Sequence, residues 1–256
     1  MSTITEGLQS IFTFPFKGEH WQERFAILAL FALIVFIPLV PAFFLLGYCG
    51  RMMRGVIDGN EPAMPAWDDW GRMFTDGLKM FAVLIIYMLP AFVLLAIGYG
   101  LTFVSQLNFA SQMNPEDYTA AMEMFLHSLG GTWLIYFGFL LTMVVGVFVP
   151  PVVTHMIAKD QFAAAFHFGE WWKVFRANLA GFLIADALVM GVYMALTWVV
   201  YFLIVSVILC CVSPFAVAIG TAYMALVTYA LFGRIYHEGV QKLAALPAQP
   251  QTGVVV

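Results

Sequence analysis

Residues 177–233 contain a single charged side chain, Asp186. A helix crosses the hydrocarbon core of a bilayer in about 20 residues, so this stretch has room for two crossings. In lipid every backbone polar group must be satisfied within the protein, which leaves helices and closed barrels as the only spanning structures. Barrel strands alternate apolar and polar residues, whereas here the apolar runs are continuous. The chain therefore reads as all-α, a polytopic transmembrane helix bundle. Its 62% hydrophobic and 10% charged residues agree, because a soluble domain carries about 25% charged residues to cover its surface.

About five hydrophobic segments are expected, near residues 25–50, 80–107, 132–157, 178–209 and 213–235. They form one helical membrane domain over 25–240, preceded by an interfacial segment at 1–24 and followed by a flexible tail at 241–256. Pro38 and Pro41 interrupt the first segment, making it a bent span or a re-entrant hairpin; a full crossing is the favoured reading. It lacks a cleavage pattern and is expected to stay in the protein. Pro150-Pro151 should bend the third segment near its end. Ser213 and Pro214 supply an N-cap and a first-turn proline between the last two.

Two further helices are expected along the membrane surface. Asn114-Pro115-Glu116-Asp117 would open the first and Gly130-Gly131 would end it, with Tyr118, Met122, Phe125 and Leu129 on its apolar face. The second runs from about Gln161 to Arg176, offering Phe162, Phe166, Trp172 and Phe175 to the interface. Close helix packing is expected at Gly98 with Gly100 and at Ala216 with Gly220.

The eleven Lys and Arg residues are unevenly placed. The positive-inside rule puts the loops at 51–79 and 158–177 and the C-terminus in the cytoplasm. The loop at 108–131 has no Lys or Arg and should be external. A full crossing by segment one puts the N-terminus outside; a re-entrant segment puts it inside.

Polar residues are densest from Arg51 to Lys79. Its acids Asp58, Glu61, Asp68, Asp69 and Asp76 are oxygen ligands of the kind a hard divalent cation takes, but their spacing does not match a calcium loop. Turns at Asp58-Gly59 and Asn60-Glu61-Pro62, and a helix cap by Asp68 or Asp69, account for most of them. Arg51 and Arg54 suit anionic headgroups or the nearby acids. An acid, a tryptophan and a phenylalanine four residues later recur at Glu19-His20-Trp21 with Phe25, Asp69-Trp70 with Phe74, and Glu170-Trp171 with Phe175, consistent with anchoring at headgroup boundaries. Asp186 is a functional candidate because an intramembrane charge is costly to bury; a shallow, hydrated position is the alternative.

The five histidines show no paired metal-ligand spacing, and no GxSxG, HExxH, P-loop or dinucleotide glycine pattern occurs. No catalytic residue, metal or cofactor is therefore assigned. A net charge of -4 gives no case for nucleic-acid binding. The three cysteines, Cys49, Cys210 and Cys211, lie in or beside apolar runs, so no structural disulfide is expected.

Gly47-Tyr48, Arg51, Arg54, Asp58-Gly59, Glu61, Pro65, Trp67-Asp68-Asp69-Trp70-Gly71, Phe74 and Asp76-Gly77-Leu78-Lys79 together resemble a prokaryotic membrane protein family known as domain of unknown function 4013. Gly169-Glu170-Trp171, Phe232-Gly233 and Glu238-Gly239 are similar to it as well. The resemblance implies a multi-pass protein of the prokaryotic cell (inner) membrane and brings no catalytic residue with it. The residues expected to matter are Arg51, Arg54, Trp67, Asp68, Asp69, Trp70, Asp76, Lys79, Glu170 and Asp186. The leading functional expectation is a non-catalytic membrane protein that binds partners or lipids and assembles or regulates them. Its partners would be the bilayer, anionic lipids and other membrane proteins. A small-solute transporter or channel using Asp186 is the alternative, and an enzyme acting at the lipid interface comes third.

Overall fold

The computed structural model describes residues 9–34, 39–111, 118–206, 209 and 211–245. All regular structure among them is helical: α1 (Trp21–Leu33), α2 (Val40–Ile57), α3 (Trp70–Ser111), α4 (Tyr118–Lys159), α5 (Phe168–Ala177), α6 (Leu179–Val205) and α7 (Ser213–Ala245). A helical turn at residues 9–13 and 3-10 turns at Phe14–Phe16 and Phe162–Phe166 complete it. Four stretches are long and apolar enough to cross a membrane: Trp70–Leu107, Ser128–Lys159, Leu179–Val205 and Ser213–Ala245.

The first apolar run is not among those four. It is divided between α1 and α2, whose 13 and 18 residues rise about 20 and 27 Å, both short of the hydrocarbon thickness. Pro41 lies in the first turn of α2 after Leu39, where its missing N–H removes no helical hydrogen bond. Pro38 lies outside the described residues.

The other apolar runs sit inside longer helices. Trp70–Lys79 is the polar start of α3, and Asp69 opens that helix by accepting the backbone N–H of Arg72 at 3.1 Å. Residues 241–245 of the expected flexible tail are the end of α7, and the rest of it lies outside the described residues. Pro150 and Pro151 lie within α4 without ending it.

Gly130-Gly131 does not end a helix; α4 passes through it. The surface helix expected from 114 to 130 is therefore the beginning of α4, and its expected cap at Asn114–Asp117 lies outside the described residues. Of the pair, Gly131 serves close approach, while Gly130 has open space beside it. A Cβ on Gly131 would stand 2.8 Å from the carbonyl oxygen of Gly98, and one on Gly98 would stand 2.9 Å from that of Gly131. Gly100 and Gly220 have open space beside them, so of these three glycines only Gly98 makes the expected close approach.

By contact the chain divides into two compact units, Leu84–Val149 and Met1–Val83 with Pro150–Val256. The first is a pair of antiparallel helix segments held through Gly98, Gly131 and Gly138, the last facing Leu95. In the second, α1, α2, α5 and α6 all pack against α7. Small buried residues on α7, including Ala222, Ala230 and Gly233, allow this close approach.

The second surface helix is realised as the 3-10 turn Phe162–Phe166 followed by α5. Its orientation differs in part from expectation. Phe175 and Trp171 are each 2% exposed and turned into the protein, while Phe162 and Phe166 remain exposed. The apolar face of α5 is satisfied by α7 instead of by lipid.

Candidate functional site

The segment between Arg51 and Lys79 folds back along α2 and is fastened residue by residue. Tyr48, fully buried, donates its hydroxyl to the Pro65 carbonyl at 3.0 Å. Arg24 donates to the Met64 carbonyl at 2.6 Å, and Arg51 to that of Ala66 at 3.2 Å. The Trp67 indole donates to the Arg24 carbonyl at 3.3 Å. Trp67 also stacks on Tyr48 with ring centroids 4.2 Å apart and on Phe31 at 5.4 Å. Trp70, Phe44 and Phe74 extend this aromatic cluster.

Two glycines let α2 and α3 approach at backbone distance. A Cβ on Gly77 would lie 2.6 Å from the carbonyl carbon of Phe43 and 2.9 Å from the nitrogen of Gly47. One on Gly47 would lie 2.9 Å from Cα of Met73. Gly59 has a different reason to be glycine: its φ of +89° is left-handed, and His237 closes over it. His237 Nδ1 lies 2.7 Å from the Ile57 carbonyl, tying the end of α2 to α7.

The five acids of this segment have separate occupations. Asp68 pairs with Arg51, whose guanidinium hydrogen bond holds the Asp68 carboxyl below its ordinary range. Asp69 caps α3. Asp58 follows the last turn of α2 and Glu61 lies in the loop beyond it, both exposed. Among the described residues no three His, Cys, Asp or Glu side chains are grouped so as to hold a metal ion.

Asp76, its side chain 6% exposed, is the centre of a charged network. Its Oδ2 meets Arg54 at 3.2 Å and Arg72 at 3.7 Å, and its Oδ1 meets Lys79 at 3.6 Å. Asp160, just past α4, takes the same two arginines at 2.9 and 3.2 Å. A buried carboxylate is tolerable only when so paired. Asp160 adopts a positive φ of 52° at the turn, and nothing in its local sequence connects it with residues about ninety positions earlier.

Glu170 reaches a second cluster that sequence spacing does not reveal. Its Oε2 lies 3.3 Å from Nε2 of His155, a close approach without hydrogen-bond alignment. His155 is 2% exposed, and its Nδ1 lies 2.6 Å from the hydroxyl of Tyr236. The α4, α5 and α7 helices are thereby joined through one imidazole. Glu170 stands out in the sequence beside Trp171, and His155 as a polar residue in an apolar run, but no spacing connects the two. Nearby, buried Asn178 donates to the Ile235 carbonyl at 3.0 Å and accepts from Lys242 at 2.6 Å.

Asp186 belongs to none of these clusters. It lies on α6 among Phe182, Ala185 and Val189, which are buried. Its Oδ2 is shielded from solvent and has no hydrogen-bond partner among the described residues.

An all-helical chain with four membrane-length apolar helices is a polytopic helical membrane protein. It belongs to the family described as Protein of unknown function (DUF4013), whose model matches residues 30–205. No match was found among curated proteins or among solved structures.

Proposed function

We propose that this protein is a non-catalytic multi-pass membrane protein that binds other membrane components, lipid or protein, and helps to assemble or regulate them. One observation carries this reading: Arg51, Arg54, Asp68, Asp69, Arg72 and Asp76 of segment 51–79 are bound to one another, to Asp160 or to the backbone of their own segment. Arg24, Tyr48 and Arg51 hold three successive loop carbonyls, and Asp76 and Asp160 hold Arg54 and Arg72. Such cross-bracing makes a rigid platform, the kind of surface on which partners dock without first ordering it.

The platform faces the cytoplasm in this reading, which puts all eleven basic residues on that side once the N-terminus is placed there too. Arg24 precedes the first apolar run and touches Met64 and Trp67 beyond it. Groups in hydrogen-bond contact cannot be separated by a bilayer, so α1 and α2 form a re-entrant pair and the N-terminus is also inside. We propose this re-entrant alternative in place of the full crossing favoured on sequence grounds. An N-terminal tag should be protected from membrane-impermeant reagents in intact cells; labelling there would overturn the re-entrant reading.

Co-purification from native membrane tests the function. A recurrent protein or lipid partner that is lost when the platform is loosened supports it; solute flux in liposomes with no partner would overturn it. The competing transport reading draws on Asp186, whose shielded oxygen lacks a partner. Asp186→Asn with unaltered growth and abundance would remove that support.

A further inference from the structure

The basic residues of segment 51–79 all have acids to face. Those around α5 do not: Lys159, Lys173 and Arg176 are exposed and make no ion pair or side-chain hydrogen bond among the described residues. They lie where the candidate span ending at Lys159 passes to the one beginning at Leu179. The two acids of this link are turned to other partners, Asp160 to Arg54 and Arg72, and Glu170 to His155 and His167.

The helix itself has a second apolar strip beside the one that α7 covers. Trp171, Val174 and Phe175 are its buried residues. Side chains four apart lie one above the other on a helix, so Phe168, Trp172 and Arg176 line one flank. Phe168 is 58% exposed and stacks on Trp172 with ring centroids 5.3 Å apart. Glu170, two residues from Trp172, falls on the opposite flank. Aromatic rings with basic residues beside them, on a helix held between two spans, suit the bilayer interface, where rings sit at the headgroup level and cations meet anionic lipid. A second copy docking by the same strip would bring Arg176 against its own counterpart, because such an interface sets one surface against itself.

We propose that this flank of α5 is a contact surface for anionic phospholipid in the leaflet on the platform's side. Phe168 and Trp172 enter the boundary between headgroups and acyl chains, and Lys173 and Arg176 extend from it to the lipid phosphates, their stems lying along the apolar surface. The hydrogen bond from Arg54 to Asp160 at 2.9 Å sets the start of this link at the level of the platform. The inference deepens the lipid-binding side of the proposed function and takes the membrane setting from it.

The test reconstitutes the full chain in phosphatidylcholine vesicles that carry, at equal mole fraction, either phosphatidylglycerol or phosphatidylcholine brominated near the headgroup. The emission of Trp172 is the difference between wild type and Trp172→Phe, and its quenching gives the relative affinity of the flank for the two lipids. Both brominated lipids should quench it, phosphatidylglycerol more strongly. Lys173→Gln and Arg176→Gln should each lower the relative affinity for phosphatidylglycerol about fivefold, the worth of one basic residue near a charged surface. Lys173→Arg should leave it unchanged. Both positions are exposed, so the variants keep the packing of α5. Emission that neither lipid quenches means that protein covers the flank and overturns the lipid contact. Equal quenching by the two lipids, or unaltered preference in both glutamine variants, overturns the selection of anionic lipid. Co-purification of a protein partner, scored on the same variants, tests the broader function independently of α5.

Discussion

Replacing Gly77 by alanine adds one methyl group where α3 meets α2, and the structure indicates what it would displace. The new Cβ would stand 2.6 Å from the carbonyl carbon of Phe43, with its oxygen closer still. That oxygen sets the displacement, and the two helices must part by roughly 1.5 Å at this crossing to restore ordinary contact. Backbone cannot rotate aside as a side chain can, which places the cost near the upper end of the overpacking range, about 3 kcal/mol. Alanine recovers about 1 kcal/mol of helix propensity, leaving a net loss of about 2 kcal/mol. The control is Gly55→Ala in α2, where nothing lies within 4 Å of the added carbon. That variant feels only the propensity gain and should be as stable as wild type or slightly more so. Thermal unfolding of the full chain in mild detergent, followed by tryptophan fluorescence, should lower the midpoint for Gly77→Ala and not for Gly55→Ala. A Gly77→Ala protein as stable as Gly55→Ala would refute the close crossing of α2 and α3.

Tyr236→Phe keeps the ring and removes the hydroxyl 2.6 Å from buried His155. It should cost about 1–3 kcal/mol in the same assay, whereas Tyr201→Phe at an exposed position should cost nothing measurable. Trp67→Ala removes the stack on Tyr48 and Phe31. A loss of about 3 kcal/mol is expected, together with proteolysis within residues 58–69 that wild type resists. The Arg51–Asp68 pair gives a pH dependence of defined sign. Because folding lowers the Asp68 value, the pair contributes above the unfolded carboxylate range of about pH 4. The contribution disappears as pH falls through the lower folded value. Arg51→Gln should therefore flatten the acid side of the stability profile, and high salt should mimic it in wild type because Asp68 is exposed.

Much of the candidate site was legible as a list but not as an arrangement. Arg51, Arg54, Asp68, Asp76 and Lys79 stand out because charge is scarce in this chain, and helix-start chemistry marks Asp69 as a cap. Their partners could not be read the same way. Asp160 joins Arg54 from more than a hundred residues away, and His155, Glu170 and Tyr236 come from three different helices. Periodicity reports which face of one helix is apolar, not which neighbour covers it. That is why α5 was expected to lay Phe175 on lipid and instead buries it in protein.

Local sequence by itself determined that this protein is helical and membrane-embedded. In a bilayer each backbone group must find its hydrogen bond within its own helix, and charge-free runs of spanning length leave no other solution. It also determined where polar chemistry concentrates, since a charge in lipid is too costly to be incidental. Tertiary structure alone decided that the first apolar run is two short helices, that Gly130-Gly131 is no terminus and that Gly131 is a contact. It likewise decided how segment 51–79 is braced. Those outcomes depend on which surfaces meet: glycine permits both a chain end and a close approach, and only a helix packed against it, as α3 is at Gly98, selects the second.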